Sequence, residues 1–201
     1  MHSIYNLGMP VNHCFLSLPG AEALSQFRQQ RLLSSLQEQG IELTQIQAQY
    51  VHFIWSKAKV SGDHLDVLKG LLNYGEPFVL KESKGLFAGK SQHAVVAPRL
   101  GTISPWASKA TDIAHHCGLN VLRIERGVQF FWTSKKALSS EQQQIVLAAI
   151  HDRMTEITLS EVSLAADLYQ TLVDKHFERI DILGGGKEAL ELANTTMGLA
   201  L

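Results

Sequence analysis

The stretch HAVVAPRLGTISPWASKATDIAHHCGLNVLRIERGVQFFW, His93 to Trp132, carries the reading of the fold. Its opening, His93 to Ala97, reads as a short strand, and Pro98, which has no N–H to give a ladder, closes it. Ser104-Pro105 then starts a helix, with serine at the cap and proline where the missing N–H costs nothing. The helical period points Ala107, Ala110, Ile113 and Cys117 inward, and Gly118 ends the helix. From Val121 to Trp132 the period becomes two: Leu122, Ile124, Val128, Phe130 and Trp132 share one side, and Arg123, Glu125 and Gln129 share the other. This is a strand, a helix and a strand, and Ser140-x-x-Gln143 predicts a capping box for a further helix through Ile145, Ala149 and Ile150.

The same order occurs earlier in the chain. Cys14 to Leu18 reads as a strand stopped by Pro19-Gly20, and Ala21 to Gln39 as a helix stopped by Gly40. Ile46 to Trp55, rich in β-branched and aromatic residues, predicts a strand whose apolar phase slips at Tyr50-Val51. A bulge or burial on both faces accounts for such a slip. Asp63 to Tyr74 predicts a helix with Leu65, Leu68 and Leu72 in step and Gly75 at its end. Strand-helix-strand-helix thus occurs over about 14–75 and again over 93–151, a repeat of pattern rather than of residues, separated by the connection 76–92. Two such units form an α+β domain with sheets face to face or edge to edge and helices on the outer faces.

Past Met154 the expected order is a helical pattern over Ile157 to Leu172, a polar stretch, and a helix over Lys187 to Met197. The expected domain plan is an unassigned leader (1–19), an N-terminal domain (20–153) and a small, mostly helical linker region (154–201). The apolar run Met197-Gly198-Leu199-Ala200-Leu201 reads as a severed end.

Composition narrows the function classes. The 201 residues hold 18 Lys+Arg against 19 Asp+Glu and are 45% hydrophobic, so the chain can bury a core. A net charge of −1 argues against a phosphate-backbone binder, so no nucleic-acid partner is expected. Two cysteines, Cys14 and Cys117, make neither a disulfide framework nor a metal knuckle and fit a reducing cytoplasm. No apolar run is long enough to span a bilayer, and no membrane partner is expected.

Few motifs point to chemistry. Gly184-Gly185-Gly186-Lys187 lacks the glycine spacing of a phosphate loop, and Glu188 after the lysine would repel phosphate, so it reads as a turn before a helix. His115, His116 and Cys117 are contiguous, so a helix fans them about 100° apart and no metal site is expected. An imidazole meeting the helix C-terminal carbonyls is the expected role. No acid–base pair emerges, because the carboxylates fall on expected solvent faces.

One stretch exceeds structural need. Residues 99–112 gather Arg99, Thr102, Ser104, Trp106, Ser108, Lys109, Thr111 and Asp112 at a strand-to-helix junction, where helix N–H groups favour anions. Two readings stand side by side: a capped helix with its indole packed on the sheet, or a ligand- or domain-facing surface. Catalytic residues are not expected among them.

Beyond spacing, the residues resemble a known family. Ala23-Leu24-Ser25-x-Phe27-Arg28, Tyr50-Val51-His52-Phe53, the run Gly101 to His115, Glu125-Arg126-Gly127-Val128 and His151-Asp152-Arg153-Met154 carry the resemblance, with Ala189-Leu190, Ala193-Asn194 and Gly198 to Leu201 in the tail. They resemble the N-terminal part of the large, single-chain phosphoribosylformylglycinamidine synthases, the formylglycinamide ribonucleotide amidotransferases of purine biosynthesis. The resemblance implies a domain similar to a dimer of the small subunit of the split enzyme, then a linker, an ATP-using synthetase domain and a glutaminase. ATP and magnesium are implied for the full-length enzyme and no cofactor for this chain. The implied partners are the synthetase and glutaminase domains, with homodimerisation through exposed surface a further expectation. In such enzymes ATP activates the amide oxygen of formylglycinamide ribonucleotide and ammonia from glutamine displaces phosphate along a route closed to water. The implied role of this region is scaffold, inactive alone. A free-standing binding or regulatory protein is the alternative.

Overall fold

The computed structural model describes residues 13–81, 90–169 and 179–197. The expectations for 1–12, 82–89, 170–178 and 198–201 lie outside the described residues. The chain divides into two compact units, Met1–Thr171 and Leu172–Leu201.

In the first unit β1 (Cys14–Glu22), β2 (Leu43–Ser56), β3 (Lys90–Pro98), β4 (Val121–Ser134) and β5 (Glu156–Leu159) alternate with α1 (Gln26–Glu38), α2 (Asp63–Leu72), α3 (Pro105–His116) and α4 (Ser140–Ile150). The fold is α+β, with one five-stranded sheet in the order β1-β2-β4-β3-β5 and every neighbouring pair antiparallel. The two strand-helix-strand stretches are therefore joined edge to edge through β2 and β4, and not face to face.

The two central strands run in unbroken register from Gln45↔Thr133 to Trp55↔Arg123. On the β4 side no bulge sits at Tyr50-Val51, but on the β1 side the pairing shifts there, between Pro19↔Val51 and Glu22↔Gln49, and the strand is buried on both faces. Residues directly opposite share a face. One face therefore carries Ile46, Ala48, Tyr50, His52 and Ile54 on β2 with Trp132, Phe130, Val128, Arg126 and Ile124 on β4. All four helices pack on that face, in two pairs. Leu36 of α1 and Val146 and Ile150 of α4 cover Ile46, Ala48, Phe130 and Trp132 at one end. Leu68 and Leu72 of α2 and Ala114 of α3 cover Ile54 and Ile124 at the other. Between the pairs lie His52 and Arg126. On the opposite face a 3-10 helix, Val162–Leu168, sets Ala165 and Leu168 against Val51, Phe53, Trp55, Val95 and Ala97.

The helix expected over Ile157 to Leu172 is instead β5 followed by that 3-10 helix. Ile157 and Leu159 lie two apart, and β3 offers an open edge that takes them in antiparallel register, Ala97↔Ile157 and Val95↔Leu159. Edge pairing satisfies backbone groups that a lone apolar turn could not bury. β1 also runs past Pro19-Gly20 to Glu22, with an irregularity in its pairing there.

Two helix readings shift by about one position. Ser139, not Ser140, caps α4: its Oγ accepts from Gln142 N while Gln142 Oε1 accepts from Ser139 N. On α3, Ala107 and Ala114 are buried, whereas Ile113 and Cys117 are exposed rather than inward. Seven residues span nearly two turns, so Ala107 and Ala114 stay on one line, while steps of three and four added from Ala110 drift off it.

In the second unit, α5 (Ile182–Met197) is broken at Gly186, whose backbone at φ 56, ψ −148 is non-helical. Few residues besides glycine take that conformation, which accounts for the turn expected ahead of Lys187.

Candidate functional site

The loop between β3 and α3 is built around a carboxylate. Ser104 has extended backbone and its Oγ accepts from Ala107 N at 3.0 Å, which caps α3. The same hydroxyl donates to Glu125 Oε1 at 2.7 Å, and Ser104 N–H donates to Oε2 at 3.3 Å. Arg126 N–H donates to Oε1 at 3.0 Å, and Arg123 Nη2 donates to Oε2 at 2.5 Å. Glu125 is 1% exposed. Its expected place on a solvent face is corrected: the loop folds over that side of β4 beyond the end of β3, and four donors replace water around the carboxylate. Arg123 also donates to Thr102 O at 2.7 Å.

Gly101, at φ 77, turns the chain inside this loop, and Thr102 N–H and Oγ–H both return to Arg99 O. Arg99 N–H donates to Thr155 O at 3.0 Å and its Nη1 to Met154 O at 3.3 Å. The result is a pinned loop whose apolar tips point outward: Leu100 is 53% exposed, Ile103 62% and, on the adjoining turn, Met154 78%.

A second cluster lies under the first turns of α3. His52 is fully buried, and its Nε2 lies 2.8 Å from Tyr74 OH. Arg126 Nη1 donates to the same phenol oxygen at 3.3 Å. The guanidinium sits 4.4 Å from the Tyr50 ring centre and 4.8 Å from that of Trp106, and the Trp106 indole stacks on His52 at 5.6 Å. Burial, reinforced by the Arg126 charge, lowers the His52 pKa from 6.5 to about 4. The imidazole is therefore neutral at pH 7. Arg126 can only donate, so the Tyr74 oxygen accepts from it, and the same phenol oxygen is hydrogen-bonded to His52 Nε2. A Cβ at Gly20 would lie 2.6 Å from His52 Cε1, so only glycine lets β1 pass there.

Beside this cluster a cavity of about 250 Å³ opens between α2 and α3, lined by Leu71, Leu72, Tyr74, Trp106, Lys109, Ala110, Ile113 and Ile124. Another of about 500 Å³ lies where the β1 irregularity faces Lys69 to Phe78.

The eight residues singled out in the sequence are thus not one cluster. Thr102 and Ser104 join the Glu125 network, Arg99 reaches the turn at Met154, and Trp106 and Lys109 line the smaller cavity. Thr111 donates to Ala107 O and accepts from Ile124 N, pinning α3 to β4. Ser108 and Asp112 are exposed. Sequence reasoning did not reach Glu125, His52, Tyr74 and Arg126. The three charges Arg123, Glu125 and Arg126 close together within one strand were the available signal; nothing local marked Tyr74.

Among the described residues no three His, Cys, Asp or Glu side chains gather as a metal site, and no helix is long and apolar enough to cross a membrane. His115 Nε2 meets Val121 O at 2.7 Å and His116 Nδ1 meets Asp112 O at 2.7 Å, so both imidazoles serve backbone carbonyls near the end of α3. These residues pin a loop, close a helix pair and present apolar tips. The sequence matches the formylglycinamide ribonucleotide amidotransferase N-terminal family over residues 49–169, and the chain belongs to that family.

Proposed function

We propose that this chain is the N-terminal scaffold of an ATP- and glutamine-dependent synthase that converts formylglycinamide ribonucleotide to its amidine. It docks on the synthetase and glutaminase regions and supplies no reacting group of its own. Family membership supports the assignment to the enzyme. The single observation that carries the docking role is the pinned loop, which holds Leu100 and Ile103 in solvent beside Met154 although a buried ionic network is spent on fixing it. Rigid apolar tips in water gain nothing for this chain alone; against a partner they bury area without a further ordering cost.

The strand order supports an internal duplication within the same proposal. An antiparallel β2–β4 pair at the centre, with β1 outside one and β3 outside the other, is what a twofold axis through that pair would generate.

The test is rescue in trans. A synthase lacking its N-terminal region, mixed with this chain, regains glutamine-dependent turnover, and the Leu100→Asp/Ile103→Asp variant fails to rescue while its melting temperature stays within a few degrees. Absence of rescue by the unmodified chain, or full rescue by the variant, overturns the docking reading.

A further inference from the structure

We infer that the cavity between α2 and α3 is a binding site for a small amphipathic anion, an aromatic or branched apolar body carrying one carboxylate. The inference is independent of the docking role, which rests on the loop 99–104.

The cavity is preformed. Its floor is the sheet residue Ile124 with buried Leu72, and Leu71, Ala110 and Ile113 make apolar walls. Its aromatic side is held from behind: Trp106 lies on His52 and Arg126, and the Tyr74 hydroxyl is taken by the same two residues. Such walls need no rearrangement to receive a ligand.

Charge sets the ligand's polar end. Lys109 lines the cavity and makes no ion pair among the described residues, although Asp112 lies one turn along the same helix. Arg126 behind Trp106 has two aromatic rings and a phenol for partners and no carboxylate in ion-pair range. Lys69, near the end of α2, is balanced by Asp66 at 3.9 Å. One uncompensated cation at the cavity rim, Lys109, with a second, Arg126, behind the Trp106 wall, favours an anion there. Volume sets the ligand's size. A cavity of roughly 150 Å³ accommodates benzene, so about 250 Å³ takes one ring with a short chain and not a nucleotide.

The test uses the full 201-residue chain and 3-phenylpropionate, followed by NMR at the three indole N–H groups. Trp55 Nε1 donates to Ala166 O and Trp132 Nε1 to Gln92 Oε1, which separates their signals from that of Trp106. The expected result is a saturable shift of the Trp106 signal with a dissociation constant of about millimolar order, as fits a ligand this small. Binding should weaken about threefold to tenfold for 3-phenylpropionamide and for Lys109→Met, and vanish in Ile113→Trp, which fills the cavity from an exposed helix position without touching the core. No saturable shift, equal affinity for acid and amide, or unchanged affinity in Lys109→Met would each overturn the inference.

Discussion

Replacing Glu125 by alanine tests how the loop before α3 is held. The carboxylate accepts from Ser104 Oγ, Ser104 N, Arg126 N and Arg123 Nη2, and the Arg123 and Glu125 side chains are only 11% and 2% exposed. Truncation strips these donors of their acceptor and leaves a buried guanidinium whose Nε already lacks a partner. Breaking one side of a buried pair costs about 3–5 kcal/mol. For a chain of this length each kcal/mol lowers the melting temperature by about 2–4 °C, so a fall of roughly 6–20 °C is expected in calorimetry. Hydrogen exchange at the Ser104 and Ala107 amides should accelerate together, because the cap depends on the same serine. The double variant Arg123→Met/Glu125→Leu should recover part of the loss, since matched apolar groups avoid the orphaned charge. A loss below about 1 kcal/mol, with amide exchange in the loop unchanged, would refute the account of Glu125 as the loop's anchor.

Three further outcomes are expected. His52 titrates near 6.5 unfolded and at about 4 folded, so between those values only the unfolded chain binds its proton. Stability should therefore fall as the pH is lowered from 6.5 to about 4, by about 3 kcal/mol in total relative to His52→Gln, with no difference accruing above pH 6.5. Parallel urea titrations of the two proteins measure it, and a constant offset would remove the buried-imidazole argument. In Gly127→Ala the new Cβ would stand 2.7 Å from both Phe53 Cε2 and Val96 O. Such overpacking should cost about 1–3 kcal/mol, read as a lower urea midpoint at unchanged slope. Ser139→Ala removes the capping-box acceptor of α4 and should cost about 1 kcal/mol, whereas Ser140→Ala should be nearly silent.

Legibility followed the range of the interactions. Ser104-Pro105, Gly118 and the alternation of Val121 to Trp132 announced α3 and β4, because caps, helix ends and pleats are decided within a few residues. The α4 cap was displaced by one residue, since adjacent serines offer the same chemistry and only the extended backbone at Ser139 selects between them. β5 was missed because Glu156 to Leu159 is strand only by virtue of the β3 edge beside it. The candidate stretch 99–112 contained both the loop anchored by Glu125 and the cavity lined by Trp106 and Lys109, yet local sequence could not divide them. That division depends on Glu125, His52 and Tyr74, which approach α3 and its leading loop from other elements.

By itself the sequence determined the element order as far as α4, the helix ends and the family, since each is written in neighbouring residues or in a continuous motif. Only the tertiary structure decided that β2 and β4 join the halves in one sheet, that all four helices of the first unit share a face, and that Glu125 is an anchor rather than a surface charge. Those outcomes rest on contacts between residues far apart in the chain. The energy of such contacts depends on what water they exclude together, which no local stretch encodes.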